Sequence, residues 1–131
     1  MSSTDTGYGV KGLMIRQGKV LLLEKRDRGY DLPGGRLEIG EDSRDGLYRE
    51  IREEIGLPEV EITDRFVPWT FINRSGVAIK GTTWLCYFNG GPISLSSEHV
   101  AFRWIPPNEL QGLDIHQKYG LDRFNLNSIR E

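Results

Sequence analysis

The sequence predicts an α/β fold in which helices pack on a mixed β-sheet. Runs rich in β-branched, leucine and aromatic residues stand both before and after one amphipathic helical segment. A second helical segment is expected near the C-terminus. At 131 residues the chain is long enough to bury a hydrophobic core without disulfides. We therefore expect a single domain over residues 1–131.

Two strands joined by a tight turn are predicted in YGVKGLMIRQGKVLLLEKR, residues 8–26. The turn falls at 16–19, and the second strand is the apolar run 20–23. Residues 1–6 are small and polar, so we expect a flexible N-terminus there. The stretch RGYDLPGG, residues 28–35, indicates a loop.

A helix is predicted over residues 42–56. Asp42 or Ser43 can act as the N-cap, because a short side-chain oxygen accepts from the unpaired N–H groups of the first turn. Gly56 ends the helix, since glycine tolerates the left-handed backbone of a helix C-terminus. Apolar residues recur every fourth position and form one stripe: Leu47, Ile51 and Ile55.

The part of the chain after this helix predicts further strands and helices. Strands are expected at 60–72, 81–90 and 101–106, with a turn or the start of a longer loop at 73–76. Pro68 places the first of these strands at a sheet edge or a bulge, because proline has no N–H for a ladder. A turn or short helix is expected at 107–110, and a C-terminal helix at 112–127.

Composition excludes several classes of protein. The formal net charge of −2 argues against a surface that coats duplex nucleic acid. The single cysteine, Cys86, cannot form an internal disulfide, which is typical of a reducing compartment. No apolar run approaches a membrane span, and the N-terminus lacks an apolar signal segment. A cytoplasmic enzyme or binding domain without a membrane partner is expected.

Three glutamates are crowded on the predicted helix. Glu50, Glu53 and Glu54 fall within an arc of about 100° beside the apolar stripe. Like charges at these spacings repel, and they stand near the helix C-terminus, where the macrodipole disfavours anions. A divalent cation would resolve the conflict. Hard carboxylate oxygens without nearby His or Cys favour Mg²⁺ or Mn²⁺ and not Zn²⁺.

An ordinary salt-bridged helix face is the alternative interpretation. Asp45–Arg49 and Arg49–Glu53 have the spacing of surface ion pairs. The preceding loop favours the metal site, because Gly34 and Gly35 let the backbone approach a metal or phosphate closely.

The spacing of these residues resembles the signature of the Nudix hydrolases. Gly35 is followed after five residues by Glu41, and after seven more by Arg49-Glu50-Ile51-Arg52-Glu53-Glu54-Ile55-Gly56-Leu57. Each specified position of the pattern G-x5-E-x7-R-E-U-x-E-E-x-G-U, with U apolar, is matched. The match covers residues 35–57, and the predicted order of strands around it is also similar to that of the family.

The resemblance implies an α/β/α sandwich around a central mixed sheet. It also implies a Mg²⁺- or Mn²⁺-dependent enzyme that hydrolyses a nucleoside diphosphate linked to another group. The implied metal ligands are Glu50, Glu53, Glu54 and the backbone carbonyl of Gly34 or Gly35. By the same resemblance, Arg49 orients a glutamate by ion pairing. Glu41 supports the loop or binds a metal through water.

The general base stays open among Glu53, Glu54 and Glu98. A glutamate shortly before the strand containing Arg103-Trp104 resembles a position that some family members use for a metal or for water activation. A solvated loop acid is the alternative for Glu98, and His99 has the pattern of an exposed loop histidine.

Substrate contacts have weaker signals. Arg36 is the best-placed phosphate ligand because it follows the two glycines, and Lys25, Arg26 and Arg28 are secondary candidates. Four aromatic residues could stack on a base, although strands favour aromatic residues for packing as well: Tyr30, Trp69, Phe71 and Trp84. Trp104 is expected to pack structurally.

The leading functional hypothesis is a small MutT-like pyrophosphatase that converts a (d)NTP or modified nucleotide to a monophosphate and pyrophosphate. The alternatives are hydrolysis of ADP-ribose, a sugar nucleotide or a dinucleoside polyphosphate, or a Nudix-fold binding module without turnover. A purely structural acidic helix is a further alternative. Small Nudix proteins are often dimers, so a homodimer is one expected assembly.

Overall fold

The structure, a computed structural model, describes residues 5–27, 29–56, 58–126 and 129. Within them the strands are β1 (Asp5–Arg16), β2 (Lys19–Lys25), β3 (Tyr30–Asp31), β4 (Gly34–Glu38), β5 (Glu59–Ile72), β6 (Ala78–Gly90) and β7 (His99–Ile105). The helical elements are α1 (Ser43–Ile55), α2 (Pro107–Leu110), α3 (Ile115–Lys118) and a 3₁₀ turn (Leu121–Arg123).

The described strands form one mixed sheet, as the sequence predicts. Its main path is β3-β2-β1-β6-β5, while β4 pairs with β1 and β7 pairs with β2. Strand β1 runs parallel to β6 and antiparallel to β2 and β4. Strand β5 stands at the end of the path, where the missing N–H of Pro68 is tolerated.

Helices and the C-terminal segment cover opposite faces of this sheet. Successive side chains of a strand point to opposite faces, so Val10 and Met14 of β1 face α1 while Leu13 and Ile15 face the C-terminal segment. The α1 stripe is buried against the first face: Leu47, Ile51 and Ile55. The C-terminal residues packed in the second core are Ile115, Tyr119, Leu121 and Phe124. The predicted α/β/α arrangement is confirmed.

The ends of α1 also follow the prediction. The Asp42 side chain accepts from the N–H groups of Arg44 and Asp45 and so caps the first turn. At the other end Gly56 has a φ of 91°, which favours glycine, and its N–H donates to the Arg52 carbonyl. Leu57, the last position of the motif, lies outside the described residues.

Two expectations about the first part of the chain are corrected. Asp5 and Thr6 are not frayed: Asp5 is paired with Glu38, and the Thr6 hydroxyl donates to the Leu37 carbonyl over 2.8 Å. Residues 1–4 lie outside the described part. The stretch predicted as a loop at 28–35 contains β3 and the start of β4, because two neighbouring strands offer it ladder partners. Arg28 is outside the described residues.

The continuous C-terminal helix predicted at 112–127 is wrong. Helix α3 ends at Lys118, and Gly120 then takes a left-handed φ of 72° that starts a 3₁₀ turn. This break lets Tyr119 and Leu121 both reach the core, which outweighs local helix preference. Residue 127 falls outside the described part. No helix formed by the described residues is both long and apolar enough to cross a membrane.

Candidate functional site

The pair Gly34 and Gly35 at the start of β4, called the glycine loop below, meets α1 at very close range. A Cβ built on Gly35 would stand 2.3 Å from the Glu50 Cδ, and one on Gly34 would stand 2.8 Å from the Lys11 Cα. Gly34 requires glycine, because its φ is 148° and a Cβ there would meet backbone atoms of β1, whereas a Cβ on Gly35 would force the Glu50 carboxylate to move. The loop is thereby held between the start of the sheet and the acidic face of α1.

One guanidinium joins three carboxylates on this face. Arg49 Nε and Nη2 donate to the two oxygens of Glu41 over 2.7 and 2.9 Å. Its Nη1 donates to Glu50 over 2.8 Å and to Glu53 over 3.1 Å. The hydrogen bonds from Arg49, together with the bond to the Glu38 backbone, lower the pKa of Glu41 to about 2.

Arg49 makes partly buried contacts in addition to the exposed i,i+4 ion pair that a solvated helix face would have. Its i,i+4 pair with Glu53 exists, and Glu53 is 57% exposed. The pairs with Glu41 and Glu50 are much less exposed, and Arg49 Nη2 also donates to the Arg36 carbonyl over 3.0 Å. The hydrogen bond to Glu41 is the largest cause of the raised pKa of Arg49. The network ties α1 to the loop at both oxygens of Glu41.

Glu54 turns away from Arg49 and is buried. It is 8% exposed, and its Oε1 accepts from the Gly34 N–H over 2.6 Å. Burial raises the pKa of Glu54 to about 8, against the opposing effect of the Gly34 hydrogen bond. Burial also raises the pKa of Glu50 above its usual value. Both carboxylates are thus costly to keep ionised without a cation.

A polar pocket of about 410 Å³ opens beside Glu54. Its described lining is Lys11, Lys25, Arg26, Asp27, Asp31, Gly34, Glu54, Glu98 and His99. The fold brings Glu98 to the same pocket as Glu54, although the two are far apart in sequence. Glu53 is not part of this lining. The pocket also contains Lys25 and Arg26, the secondary phosphate candidates.

His99 differs from its sequence-based interpretation. It begins β7 and is only 7% exposed, because strand pairing with Lys25 draws it inward. Its Nδ1 has no hydrogen-bond partner among the described residues. Burial lowers the pKa of His99, so the neutral ring is favoured. The expectation of an exposed loop histidine is wrong.

A second, smaller pocket of about 180 Å³ adjoins Gly35. It is walled by Trp69, Phe71 and Tyr119, and Arg36 and Lys11 also line it. Trp69 is fixed by a hydrogen bond from its Nε1 to the Thr83 hydroxyl over 2.8 Å. Arg36 therefore adjoins the aromatic pocket and not the polar one.

The remaining aromatic candidates have structural surroundings. Trp84 donates from its indole N–H to the Ser43 hydroxyl over 2.9 Å and packs on Phe66. The Tyr30 hydroxyl accepts a hydrogen bond from Arg103 of β7 over 2.9 Å. Trp104 packs edge-to-face on Phe88, which confirms its structural interpretation.

Sequence reasoning did not single out Lys11, Asp31 or Tyr119. Lys11 carried one signal, because it is a charged residue inside the apolar run YGVKGLMI. Asp31 and Tyr119 carried none, since only the sheet register and the break at Gly120 bring them to Lys11.

The donor chemistry of this site fits a hard divalent cation. Carboxylate oxygens of Glu50, Glu53 and Glu54 lie along one side of α1, next to a loop whose glycines expose backbone. In the described part of the chain, no three His, Cys, Asp or Glu side chains converge as a ready-made ligand set. Glu50 and Glu53 would therefore have to rotate away from Arg49 to bind an ion.

Comparisons with known proteins identify related sequences. A family model for the NUDIX domain matches residues 6–124. A MutT-like protein of Streptomyces ambofaciens is 34% identical over 103 residues, which cover 77% of this chain and 64% of that protein. The chain thus spans less than two thirds of that relative's length. The nucleoside triphosphatase NudI of Escherichia fergusonii is 31% identical over 121 residues, covering 79% of this chain and 84% of that protein.

A solved structure has the same overall fold. The dihydroneopterin triphosphate pyrophosphohydrolase of E. coli superposes with a TM-score of 0.73, covering 97% of this chain and 100% of that chain. At 18% identity this similarity shows the fold alone.

Proposed function

The chain belongs to the Nudix family, and we propose that it is a metal-dependent hydrolase of a phosphoanhydride bond in a nucleotide. One observation supports the proposal: Glu50 and Glu54 of α1 lie against Gly35 and Gly34, and Glu54 also lines a pocket with both carboxylates and cations. Such a pocket can bind a diphosphate while keeping acidic groups near the attacking water.

The proposed metal is Mg²⁺ or Mn²⁺. Glu50, Glu53, Glu54 and the backbone carbonyl of Gly34 or Gly35 would hold it. When bound, the cation neutralises the diphosphate and makes water a better nucleophile. Arg49 keeps the carboxylates near the loop through its pairs with Glu41, Glu50 and Glu53.

Glu54 and Glu98 are the proposed proton acceptors for the attacking water. Both line the polar pocket, whereas Glu53 is largely exposed and paired with Arg49. We place Glu54 first because it is buried and fixed by Gly34. As a metal ligand Glu54 would have to accept the proton on an oxygen that the metal and the Gly34 N–H leave open, and Glu98 would take the proton where both Glu54 oxygens are engaged.

The two pockets divide the substrate between them. The diphosphate would lie in the polar pocket, near Lys25 and Arg26, and the nucleoside in the aromatic pocket. Arg36 would contact a phosphate or ribose at the mouth of the aromatic pocket. Aromatic walls favour a flat base through stacking.

A (d)NTP or modified nucleoside triphosphate is the proposed substrate, cleaved to a monophosphate and pyrophosphate. The aromatic pocket, of about 180 Å³, is walled by rings on which a single base can stack. The relative from Escherichia fergusonii is named a nucleoside triphosphatase, which supports the same class.

A substrate panel tests this proposal. The protein is incubated with Mg²⁺ or Mn²⁺ and canonical or oxidised (d)NTPs, ADP-ribose, sugar nucleotides and dinucleoside polyphosphates, and the cleaved bond is identified from the products. Glu54→Gln should reduce turnover by at least about 100-fold, since proton transfer and metal binding both depend on it. The exposed Glu61→Gln is the matched control and should be active. Binding without turnover by the unaltered protein would instead indicate a binding module.

A further inference from the structure

We propose that Lys11 is a substrate-binding residue whose ammonium binds the phosphate nearest the nucleoside, at the junction of the polar and aromatic pockets. The inference rests on the proposed function and deepens it, because it assigns a part of the nucleotide to a residue outside the family motif. Through this contact the protein binds nucleotides more tightly than the corresponding free nucleosides.

The position of Lys11 is the first argument. Among the described lining residues, Lys11 alone lines both the polar and the aromatic pocket. A nucleotide with its base in one pocket and its terminal phosphates in the other must therefore pass beside this side chain. The phosphate attached to the ribose is the group that stands at that boundary.

The glycine loop directs the side chain to this boundary. Lys11 of β1 pairs with Gly34 of β4, and a Cβ on Gly34 would approach the Lys11 Cδ to 2.9 Å. The aliphatic stem of Lys11 thus crosses the loop where any other residue would block it. The Lys11 side chain is only 11% exposed, so its ammonium is held at the pocket wall and is not directed into bulk water.

Neighbouring groups hold the Lys11 ammonium in place but leave it able to donate a further hydrogen bond. Lys11 Nζ is 3.1 Å from the Asp31 carboxylate and donates to the Leu32 carbonyl over a long 3.4 Å. It also stands 5.1 Å from the centre of the Tyr119 ring. An ammonium has three N–H donors, and the described hydrogen-bonding contacts use two of them. The third, and the long bond to Leu32, are available to a phosphate oxygen.

The other cations of the site are placed differently. Lys25 and Arg26 line only the polar pocket, and the Arg26 Nε donates to the Ser97 carbonyl over 2.5 Å. Arg36 lines only the aromatic pocket. Lys11 is therefore the described cation with the position for the phosphate between them.

A purely structural ion pair is the competing explanation, and paired variants separate the two. Lys11→Met removes the ammonium but leaves Asp31 without its partner, which could disturb folding. The double variant K11M/D31N has neither charge and so removes that penalty. Asp31→Asn alone keeps the ammonium. Lys19→Met, at the exposed start of β2, is the matched control.

Binding is measured by calorimetry with AMP, GMP, CMP and UMP and with the four corresponding nucleosides, in the presence of Mg²⁺. K11M and K11M/D31N should weaken the tightest monophosphate by about 10- to 100-fold, the effect of losing one charge-assisted phosphate contact. Both should bind the matching nucleoside as the unaltered protein does. Lys11→Arg should restore part of the affinity, and K19M should bind the monophosphate within about threefold of the unaltered protein. D31N should bind it no more weakly than the unaltered protein, because this variant loses a pocket anion and keeps the ammonium.

Three results would overturn the inference. The first is monophosphate binding by K11M/D31N at unaltered affinity. The second is an equal loss of nucleoside and monophosphate, which indicates a damaged pocket. The third is a defect in D31N as large as that in K11M, which assigns Lys11 to the ion pair.

Turnover measured on the same variants distinguishes this inference from the proposed function. Hydrolysis that is unaffected in K11M refutes the role of Lys11 and leaves the activity standing. Phosphate-selective binding through Lys11 with no hydrolysis refutes the activity and leaves Lys11 standing. Failure of the unaltered protein to bind any of the monophosphates overturns the inference about Lys11, while absence of turnover on every substrate of the panel overturns the proposed function.

Discussion

Arg49 grips both carboxylate oxygens of Glu41, from Nε over 2.7 Å and from Nη2 over 2.9 Å. This parallel pair fixes the plane of the guanidinium, so its third nitrogen, Nη1, is aimed at Glu50 and Glu53. Glu41 belongs to the loop before α1 and Arg49 to α1 itself. The pair therefore sets the orientation of the acidic helix face relative to the glycine loop.

The bidentate geometry of the Arg49–Glu41 pair should make lysine a poor substitute at position 49. A lysine keeps the charge but cannot form the parallel pair, so Arg49→Lys should lower the unfolding free energy by about 1–3 kcal/mol. It should lower kcat at least about tenfold, because Glu50 and Glu53 lose their orientation. Guanidinium denaturation and steady-state kinetics measure the two effects. Arg52→Lys, on an exposed position of α1, is the control; equal effects at both positions would show that the grip has no special role.

The close approach of Gly35 to Glu50 gives a second prediction. A methyl group at Gly35 would stand 2.3 Å from the Glu50 carboxyl carbon, so Gly35→Ala must displace that carboxylate. Activity should fall at least about tenfold, and the apparent affinity for Mg²⁺ should fall with it. Gly112→Ala is the control, since its nearest neighbour would be 3.7 Å away, and its stability should change by less than about 1 kcal/mol. Unchanged Mg²⁺ dependence in Gly35→Ala would contradict the assignment of Glu50 as a ligand.

Stability in EDTA should depend on pH through Glu54. The folded protein holds this proton up to a pKa of about 8, above the ordinary value of 4.5. Its contribution to stability is therefore complete below pH 4.5 and is lost as the pH rises towards 8. Across this window the Tm of the unaltered protein should fall relative to that of Glu54→Gln, by an amount equivalent to about 2–4 kcal/mol.

Thermal melts at several pH values in EDTA measure this difference. Parallel slopes for the two proteins would mean that Glu54 ionises without penalty. Addition of Mg²⁺ at pH 8 should raise the Tm of the unaltered protein more than that of Glu54→Gln, because only the carboxylate gains a cation.

Removing an aromatic wall of the aromatic pocket should weaken the apparent affinity for the nucleotide. Phe71 lines it and stacks with Trp69 at a ring-centre distance of 5.8 Å. Phe71→Ala should raise KM for the best nucleotide by about 5- to 100-fold, the range for loss of one base-stacking partner, with kcat within about threefold. Phe66→Ala removes an equally large ring, 53% exposed, from the other side of β5 and should leave KM unchanged. An increase in KM in both variants would indicate general loosening of β5.

Most of the fold could be predicted because its signals are local. The Asp42 cap, the four-residue recurrence of Leu47, Ile51 and Ile55, and the Gly56 stop specify α1 within its own segment. Runs rich in β-branched, leucine and aromatic residues likewise indicate most of the strands. The prediction of a continuous C-terminal helix was wrong for a non-local reason. Where that helix ends depends on whether burying Tyr119 and Leu121 in the core stabilises the chain more than continuing the helix does, and burial depends on the tertiary structure.

The sequence by itself determined the family, the helix and the set of acidic residues, since motif spacing and periodicity are properties of consecutive residues. Tertiary structure decided how those residues are used. It buried Glu54 and left Glu53 exposed. It also brought Glu98 and His99 to the pocket that Glu54 lines, and it set Lys11 between the polar and the aromatic pocket. These outcomes depend on strand register and on contacts between distant segments, because burial and a neighbouring charge are created only when the sheet assembles.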